Sequence, residues 1–213
     1  MFHVKHWPKN PMPGVSAKRI WRERPNVSLA ALGLLSGLLS AAVGFTLRIE
    51  PLDPLAGLFF LSAEMLPIGF LFGAVVAGVI AVRQQRALAV PVLLATTMYA
   101  WSAAIHTTIK LHQIGGGDAG HVGPLLGGLV GGAVGAGLTQ LGAAQFAAEL
   151  RQPRRLAVTC AVGAAAGLLF YLGDRNIIDA RVLFVVWQPA VAFCIGLGLE
   201  AEAGHARSPS QGS

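Results

Sequence analysis

The stretch VGPLLGGLVGGAVGAGLTQLGAAQFA, from Val122 to Ala147, decides the class of this protein. Its 26 residues include no charged side chain. A helix of this length, rising about 1.5 Å per residue, exceeds the roughly 30 Å hydrocarbon thickness of a bilayer. Because lipid offers no hydrogen-bond partners to the backbone, such a run crosses the membrane as a helix. The stretch therefore predicts a transmembrane segment.

Five further apolar runs of similar character lie on either side of this stretch. The chain is 54% hydrophobic and 12% charged, whereas an average soluble domain carries about 25% charged residues. We predict an all-α, multi-pass membrane domain over residues 27–199, with a basic arm at 1–26 and a disordered tail at 200–213. The six helices are predicted at Val27–Leu47, Ala56–Val82, Ala87–Ile109, Val122–Ala147, Leu156–Leu172 and Val182–Leu199.

The distribution of Lys and Arg predicts the orientation of the helices. Twelve of the 16 basic residues fall in the arm, the turns at 83–86 and 148–155, and the tail, and four fall in the other breaks. Since cytoplasmic loops are enriched in Lys and Arg, both termini are predicted to be cytoplasmic, in a bacterial inner membrane. This explains the net charge better than nucleic-acid binding does, and the lipid bilayer is the expected partner. Within the arm, residues 15–24 form either a helix on the membrane surface or a solvated tail.

The opening MFHVKH, residues 1–6, is compatible with codons containing TGTTTCACGTGAAACA. This inverted repeat resembles the partition centromere of bacterial chromosomes. If the gene uses those codons, the resemblance implies that the first six residues record a DNA element, with the natural start further in, for example at Met12.

Glycine spacing is the clearest packing signal in the sequence. Glycines recur every fourth residue, which leaves helix faces that are nearly bare backbone, and such faces let helices approach closely in lipid. We predict packing within the chain, with self-association or contact with a membrane-complex partner through the fourth helix as the alternative. The predicted packing residues are Gly33, Gly37, Gly69, Gly73, Gly127, Gly131, Gly135, Gly163 and Gly167.

Glu64 is the one acidic residue well inside a predicted membrane helix. An isolated carboxylate in a medium of low dielectric constant changes its protonation rather than stay charged, so Glu64 is expected to be neutral, paired or beside water. Three residues on, Pro67 removes a backbone donor and predicts a helix break.

The third and sixth helices supply possible partners for Glu64. Tyr99, Ser102 and His106 recur at steps of three or four and so share one helix face. Gln188 precedes Pro189, a second predicted break. Together with Glu64 these polar side chains are predicted to lie in the outer half of the membrane. There they either form hydrogen bonds between helices or form a site for a proton, cation or small solute.

No pattern predicts a catalytic residue, a metal site or a cofactor. His112, Asp118 and His121 lie in a glycine-rich segment without the spacing of a zinc site and are predicted to belong to a flexible connector. Asp174, Asn176 and Asp179 are expected to be turn and cap residues. Two functions follow as expectations: a small permease or a proton- or cation-coupled transporter, or else a non-catalytic membrane scaffold or subunit. An enzyme is not predicted.

Overall fold

The computed structural model describes residues 24–43, 66–116 and 120–205. Over these residues the chain is helical and contains no strand, which confirms the all-α prediction. Six of the helices are long and apolar enough to cross a membrane, as predicted. They are α1 (Pro25–Val43), α2 (Leu66–Gln84), α3 (Ala89–Ile114), α4 (Val122–Ala144), α5 (Pro153–Asp174) and α6 (Val182–His205). A short 3-10 helix, Ala148–Arg151, lies between α4 and α5.

Several helix ends differ from the prediction for local reasons. Helix α3 continues five residues past the predicted end, and the backbone N–H of Gly115 closes its last turn by donating to the carbonyl of Leu111 at 2.9 Å. Helix α5 begins at Pro153, whose fixed φ suits the first helical position. Helix α4 ends at Ala144, three residues before the predicted end, and Ala147 itself has an extended backbone conformation. The predicted end of α3 precedes the first charged residue, Lys110, whereas the helix continues beyond it.

The six helices close into a ring. Each helix packs against the next one along the chain, and α6 packs against α1. Sequential neighbours with short connections are the commonest arrangement in helical bundles. Here the long contact between α1 and α6 completes the circuit, so the first and last helices are adjacent.

Neighbouring helices run antiparallel. A Cβ atom built on Gly33 would lie 2.9 Å from the Cβ of Ala192, whereas one built on Gly37 would lie 3.1 Å from the Cα of Val185. Contacts therefore move backwards along α6 as they move forwards along α1. The ends of the helices fall into two groups, which we name the arginine end and the cavity end. The arginine end comprises the start of α1, residues 85–88, residues 145–152 and the last turns of α6, and the cavity end comprises residues 115–116, 120–121 and 175–181.

Helix α4 contacts both of its neighbours through glycine. A side chain at Gly131 would meet the carbonyl oxygen of Ala104 on α3 at 2.8 Å. On the α5 side, a side chain at Gly132 would meet the Cα of Gly167 at 3.0 Å, and its backbone also faces the carbonyl of Gly163. Neither seam has room for a side chain at these positions.

Candidate intramembrane site

A cavity of about 320 Å³ lies between α3, α4, α5 and α6. Its wall is almost entirely apolar. The wall residues nearest the cavity end include Ile109, which is 45% exposed, and Ala180, also exposed. The full lining is Trp101, Ala104, Ile105, Thr108, Ile109, Gly128, Gly131, Gly132, Gly167, Phe170, Ala180, Leu183, Phe184 and Trp187.

Aromatic side chains form the side of the cavity that faces the centre of the circle of helices. The ring of Trp101 lies 5.6 Å from that of Phe184 and 5.7 Å from that of Trp187, measured between centroids. Phe72 of α2 lies 5.5 Å from Trp187, edge to face. Such contacts hold large rings in defined orientations. They fix the aromatic wall, while the glycines of α4 and α5 supply the empty volume opposite it.

Polar groups on the cavity wall differ in whether they are satisfied. The hydroxyl of Thr108 lies within hydrogen-bond distance of the carbonyls of Ala104 and Gly127, at 2.9 and 3.0 Å. The indole N–H of Trp187 donates to the carbonyl of Gly132 over a long 3.4 Å. The indole nitrogen of Trp101 has less than 1 Å² of accessible surface, so it does not border the open volume, and it has no hydrogen-bond partner among the residues that the structure describes. Buried donors are seldom left unpaired, so this N–H calls for an explanation.

Gln188 lies on α6, fully buried against α1. Its Nε2 donates to the Oγ of Ser40 at 2.9 Å, and its Oε1 has no partner within residues 24–43, 66–116 and 120–205. Exchanging the two amide atoms would pair Oε1 with the Ser40 hydroxyl and leave Nε2 without a partner instead. One half of this buried amide is therefore unsatisfied in either orientation. The Oγ of Ser36, one turn from Ser40, is buried and unpartnered as well.

The predicted polar residues of α3 do not gather around Gln188. Tyr99 is 45% exposed on the outside of the ring. His106 Nδ1 lies 2.9 Å from the carbonyl oxygen of Ser102, one turn back on the same helix, and Ser102 itself is buried. Glu64 lies outside the described residues, so its meeting with His106 stays a prediction.

The two predicted proline breaks are placed differently. Pro67 is the second residue of α2 as described, and the residues before Leu66 lie outside the description. Pro189 lies inside α6, which is helical on both sides of it. Since proline has no N–H, the carbonyl of Val185 has no helical donor at that position. A bend of α6 at Pro189 stays a prediction.

A second buried glutamine, Gln140, lies toward the arginine end, and sequence reasoning missed it. Its Nε2 donates to the carbonyl of Leu150 at 3.1 Å, and its Oε1 accepts from the hydroxyl of Thr159 at 3.3 Å. These bonds join α4, the 3-10 helix and α5. The step of four from Ala136 through Gln140 to Ala144 could have placed it on a packed face, but not identified its partners.

The arginines at this end are also bound to the fold. Arg151 donates from Nε to the carbonyl of Ala144 at 2.9 Å, at the C-terminal end of α4, where a cation is favoured by the helix dipole. Arg155 donates to the carbonyl of Gly198, and Arg83 donates to that of Leu199 at 3.4 Å. In the sequence these arginines predict only the orientation of the helices. They also tie α2 and α5 to α6.

The cavity end carries a cluster of ionisable and aromatic side chains. His112 lies 3.9 Å from the carboxylate of Asp174, and Arg175 lies 3.6 Å from the same carboxylate. Arg175 also donates to the carbonyl of Gly120 and lies over the ring of Tyr171, 5.8 Å from its centroid. Within the described residues no group of three or more His, Cys, Asp or Glu could hold a metal ion. The cluster joins the ends of α3 and α5 to the segment before α4.

The predicted turn residues near α6 behave as turn residues. Asp179 accepts a hydrogen bond from the backbone N–H of Arg181 at 2.8 Å. Asn176 has a positive φ of 57°, a conformation that asparagine tolerates better than most residues. Asp174 differs, because it is part of the cluster described above.

Comparisons with known proteins add no family to these observations. No family model matches the chain, and no curated protein or solved structure matches it. The geometry of the ring is therefore the basis for any functional proposal.

Proposed function

We propose that this chain is a small permease, and that its solute occupies the cavity between α3, α4, α5 and α6. The cavity carries this proposal, because its volume of about 320 Å³ falls at the lower end of the range of ligand pockets. Its lining extends along α3 from Ile109, five residues before the end of that helix, to Trp101 in its middle. In this proposal the cavity opens at the cavity end, as a solute pathway from one surface to mid-membrane requires.

The orientation belongs to the same proposal. We place the arginine end in the cytoplasm of a bacterial inner membrane, with both termini inside and the cavity opening outward. The count of basic residues supports this placement through the positive-inside rule. Six described arginines lie within this end or within one turn of it: Arg24, Arg83, Arg86, Arg151, Arg154 and Arg155.

The glycine rows support the proposed packing. We propose that GxxxG-type spacing holds α4 between α3 and α5, because side chains at Gly131 and Gly132 would collide with the neighbouring backbones. In this proposal these glycines already pack against other helices of the same chain. A second copy bound to α4 would have to contact its exposed face, which includes Leu126 and Val130.

The non-catalytic scaffold remains the alternative, and one observation favours it. The cavity wall is almost entirely apolar, so an ion or a strongly polar solute finds few partners there. Coupling to a proton or cation would need Glu64, which lies outside the described residues. Glu64→Gln is expected to abolish uptake by a coupled transporter and to leave a scaffold intact.

Cysteine accessibility tests the permease against the scaffold. Cys160 and Cys194, the two cysteines of the chain, are first replaced by alanine. Leu183→Cys then places a thiol on the cavity wall, and Leu197→Cys places one on the exposed outer surface of the same helix. A charged, membrane-impermeant thiosulfonate is added to intact cells and to inverted vesicles.

A permease is expected to react at Leu183→Cys from the outside and, in its other state, from the inside. Leu197→Cys should stay unreacted because lipid neither admits the reagent nor supports the thiolate. Absence of reaction at both positions from both sides would favour the scaffold.

A second pair of single cysteines tests the orientation. Leu88 between α2 and α3 is 77% exposed, and Ile177 between α5 and α6 is 65% exposed. In intact cells the impermeant reagent is expected to label Ile177→Cys and to spare Leu88→Cys. The reverse pattern would contradict the proposed orientation, and labelling of both would contradict the antiparallel crossing of the membrane.

A further inference from the structure

Two helix faces that line the cavity continue past it toward the cavity end. On α3, His112 lies one helical turn beyond the lining residue Thr108. On α5, Asp174 lies one turn beyond the lining residue Phe170. Because residues four apart share a helix face, both side chains lie on the cavity side of their helices, about 6 Å nearer the end of the ring.

The side chains of His112 and Asp174 meet between the two helices. Nδ1 of His112 is 3.9 Å from a carboxylate oxygen of Asp174, so the two form an ion pair when the imidazole is protonated. Helix α4 packs between α3 and α5, and both residues lie on the cavity side, so the contact crosses the space in front of α4 where the cavity lies. The two side chains are 18% and 19% exposed, which leaves them within reach of solvent.

Arg175 and Tyr171 extend this contact to the segment before α4. Arg175 lies 3.6 Å from the carboxylate of Asp174 and donates to the carbonyl of Gly120. The hydroxyl of Tyr171 lies 3.1 Å from Nδ1 of His121. Polar side-chain contacts thus join the ends of α3 and α5 to the start of α4. Ion pairs at such partly exposed positions stabilise a fold little, so these contacts can open while the helices stay packed.

We propose that His112 and Asp174 form a latch across the cavity, and that a solute passes when this latch opens. The inference rests on the proposed function, in which the cavity opens at the cavity end. When the latch is closed, two side chains in contact separate the open volume from the solution at that end. When it is open, the volume is continuous with that solution.

The rate at which Leu183→Cys reacts with an impermeant thiosulfonate added outside intact cells measures how often the latch is open. The background lacks Cys160 and Cys194. Asp174→Asn keeps the size of the side chain, removes its charge and is expected to raise the rate about 5-fold, the effect of one ion pair worth about 1 kcal/mol. His112→Gln is expected to raise it by a similar factor. The double variant should exceed neither single variant, because both substitutions remove the same contact.

Asp179→Asn is the matched control, because it removes the same charge from the connection that follows α5. The carboxylate of Asp179 accepts from the backbone N–H of Arg181, and an asparagine oxygen can accept the same bond. This variant is expected to leave the rate within about 2-fold of that of its parent. Each rate is measured with a cationic and with an anionic reagent. Opening of the latch accelerates both reagents, whereas a changed surface charge slows one and accelerates the other.

Unchanged rates in Asp174→Asn and His112→Gln, in a parent that reacts from outside, would overturn the inference and leave the permease proposal standing. Acceleration of one reagent only, or equal acceleration in Asp179→Asn, would overturn it too. Absence of outside reaction in every variant also overturns it, and labelling of Leu183→Cys from the inside then bears on the permease alone. Reaction of the latch variants in a background where the parent does not react would support the latch. An Asp174→Asn protein that fails to fold does not remove the test, since His112→Gln breaks the same contact from the other helix.

Discussion

Two buried glutamines, one toward each end of the ring, differ in how many of their side-chain amide atoms have hydrogen-bond partners. Gln140 is 1% exposed and has partners for both amide atoms. Gln188 is fully buried and has a partner for one amide atom. In a membrane the difference is costly, because neither lipid nor bulk water can supply the missing bond.

The contrast extends from the two side chains to the two ends of the molecule. At the arginine end, Arg83, Arg151 and Arg155 donate to helix carbonyls, and Gln140 joins three elements. Toward the cavity end lie the open volume and the unpartnered groups of Trp101 and Gln188. At one end the polar groups are bonded to other residues of the chain, whereas toward the other lie an open volume and, outside it, two buried polar atoms without hydrogen-bond partners among the described residues.

The largest expected effect comes from disturbing the close contact between α4 and α5. Gly132→Leu would place a side chain against the backbone of Gly163 and Gly167, with no flexible group able to move aside. We expect a loss of about 3 kcal/mol or more in unfolding free energy, at the upper end for overpacked sites. Titration of the detergent-solubilised protein with SDS, followed by near-UV circular dichroism, measures this loss.

Gly78→Leu is the matched control, because a Cβ at Gly78 meets nothing within 4 Å. It is expected to change stability little and to favour the helix slightly, since glycine is a poor helix former. Equal losses in the two variants would show that hydrophobic size alone, and not the close seam, determines the result.

The next largest effect is expected for a substitution toward the arginine end. Gln140→Leu keeps the approximate size of the side chain but removes the donor to the Leu150 carbonyl and the acceptor for Thr159. Leaving buried polar groups without partners is expected to cost about 2 kcal/mol in the same SDS titration. A loss below about 0.5 kcal/mol would indicate that water or lipid headgroups reach this site, contrary to its 1% exposure.

Much of this fold could be predicted from the sequence because membrane helices are encoded locally. A run such as Val122–Ala147 is recognised by its length and its lack of charge, without knowledge of any contact. Helix ends were less predictable, as the extension of α3 through Lys110 and His112 to Ile114 shows. Charged side chains end an apolar run but do not end a helix.

The site was predictable only in part, because it depends on which helix faces meet. Gln188 could be singled out as a polar residue inside an apolar helix, but its contact with Ser40 joins residues 148 positions apart in the sequence. The cavity gave no sequence signal at all. Its volume arises where glycines of α4 and α5 face the aromatic side chains of α3 and α6, a juxtaposition that no local pattern contains.

A smaller effect is expected when Gln140 is left with one hydrogen bond, as Gln188 is. Thr159→Val preserves the shape of the side chain and removes the hydroxyl that donates to Gln140 Oε1. The amide then keeps one bond and loses the other, as in Gln188. We expect a loss of about 1 kcal/mol, and the double variant with Gln140→Leu should lose less than the sum of the two. Strict additivity would show that the two side chains do not interact.

The smallest effect on stability is expected at Gln188, and it is the most informative of the series. Gln188→Leu removes one hydrogen bond to Ser40, but it also removes the buried Oε1 that has no partner. The Ser40 hydroxyl can donate instead to the carbonyl of Ser36 one turn earlier, as helical serines do. We expect a change within about 0.5 kcal/mol, measured beside Gln140→Leu under identical conditions. A loss as large as that of Gln140→Leu would mean that Oε1 is satisfied by an ordered water in the membrane, and the two ends would then be equally complete.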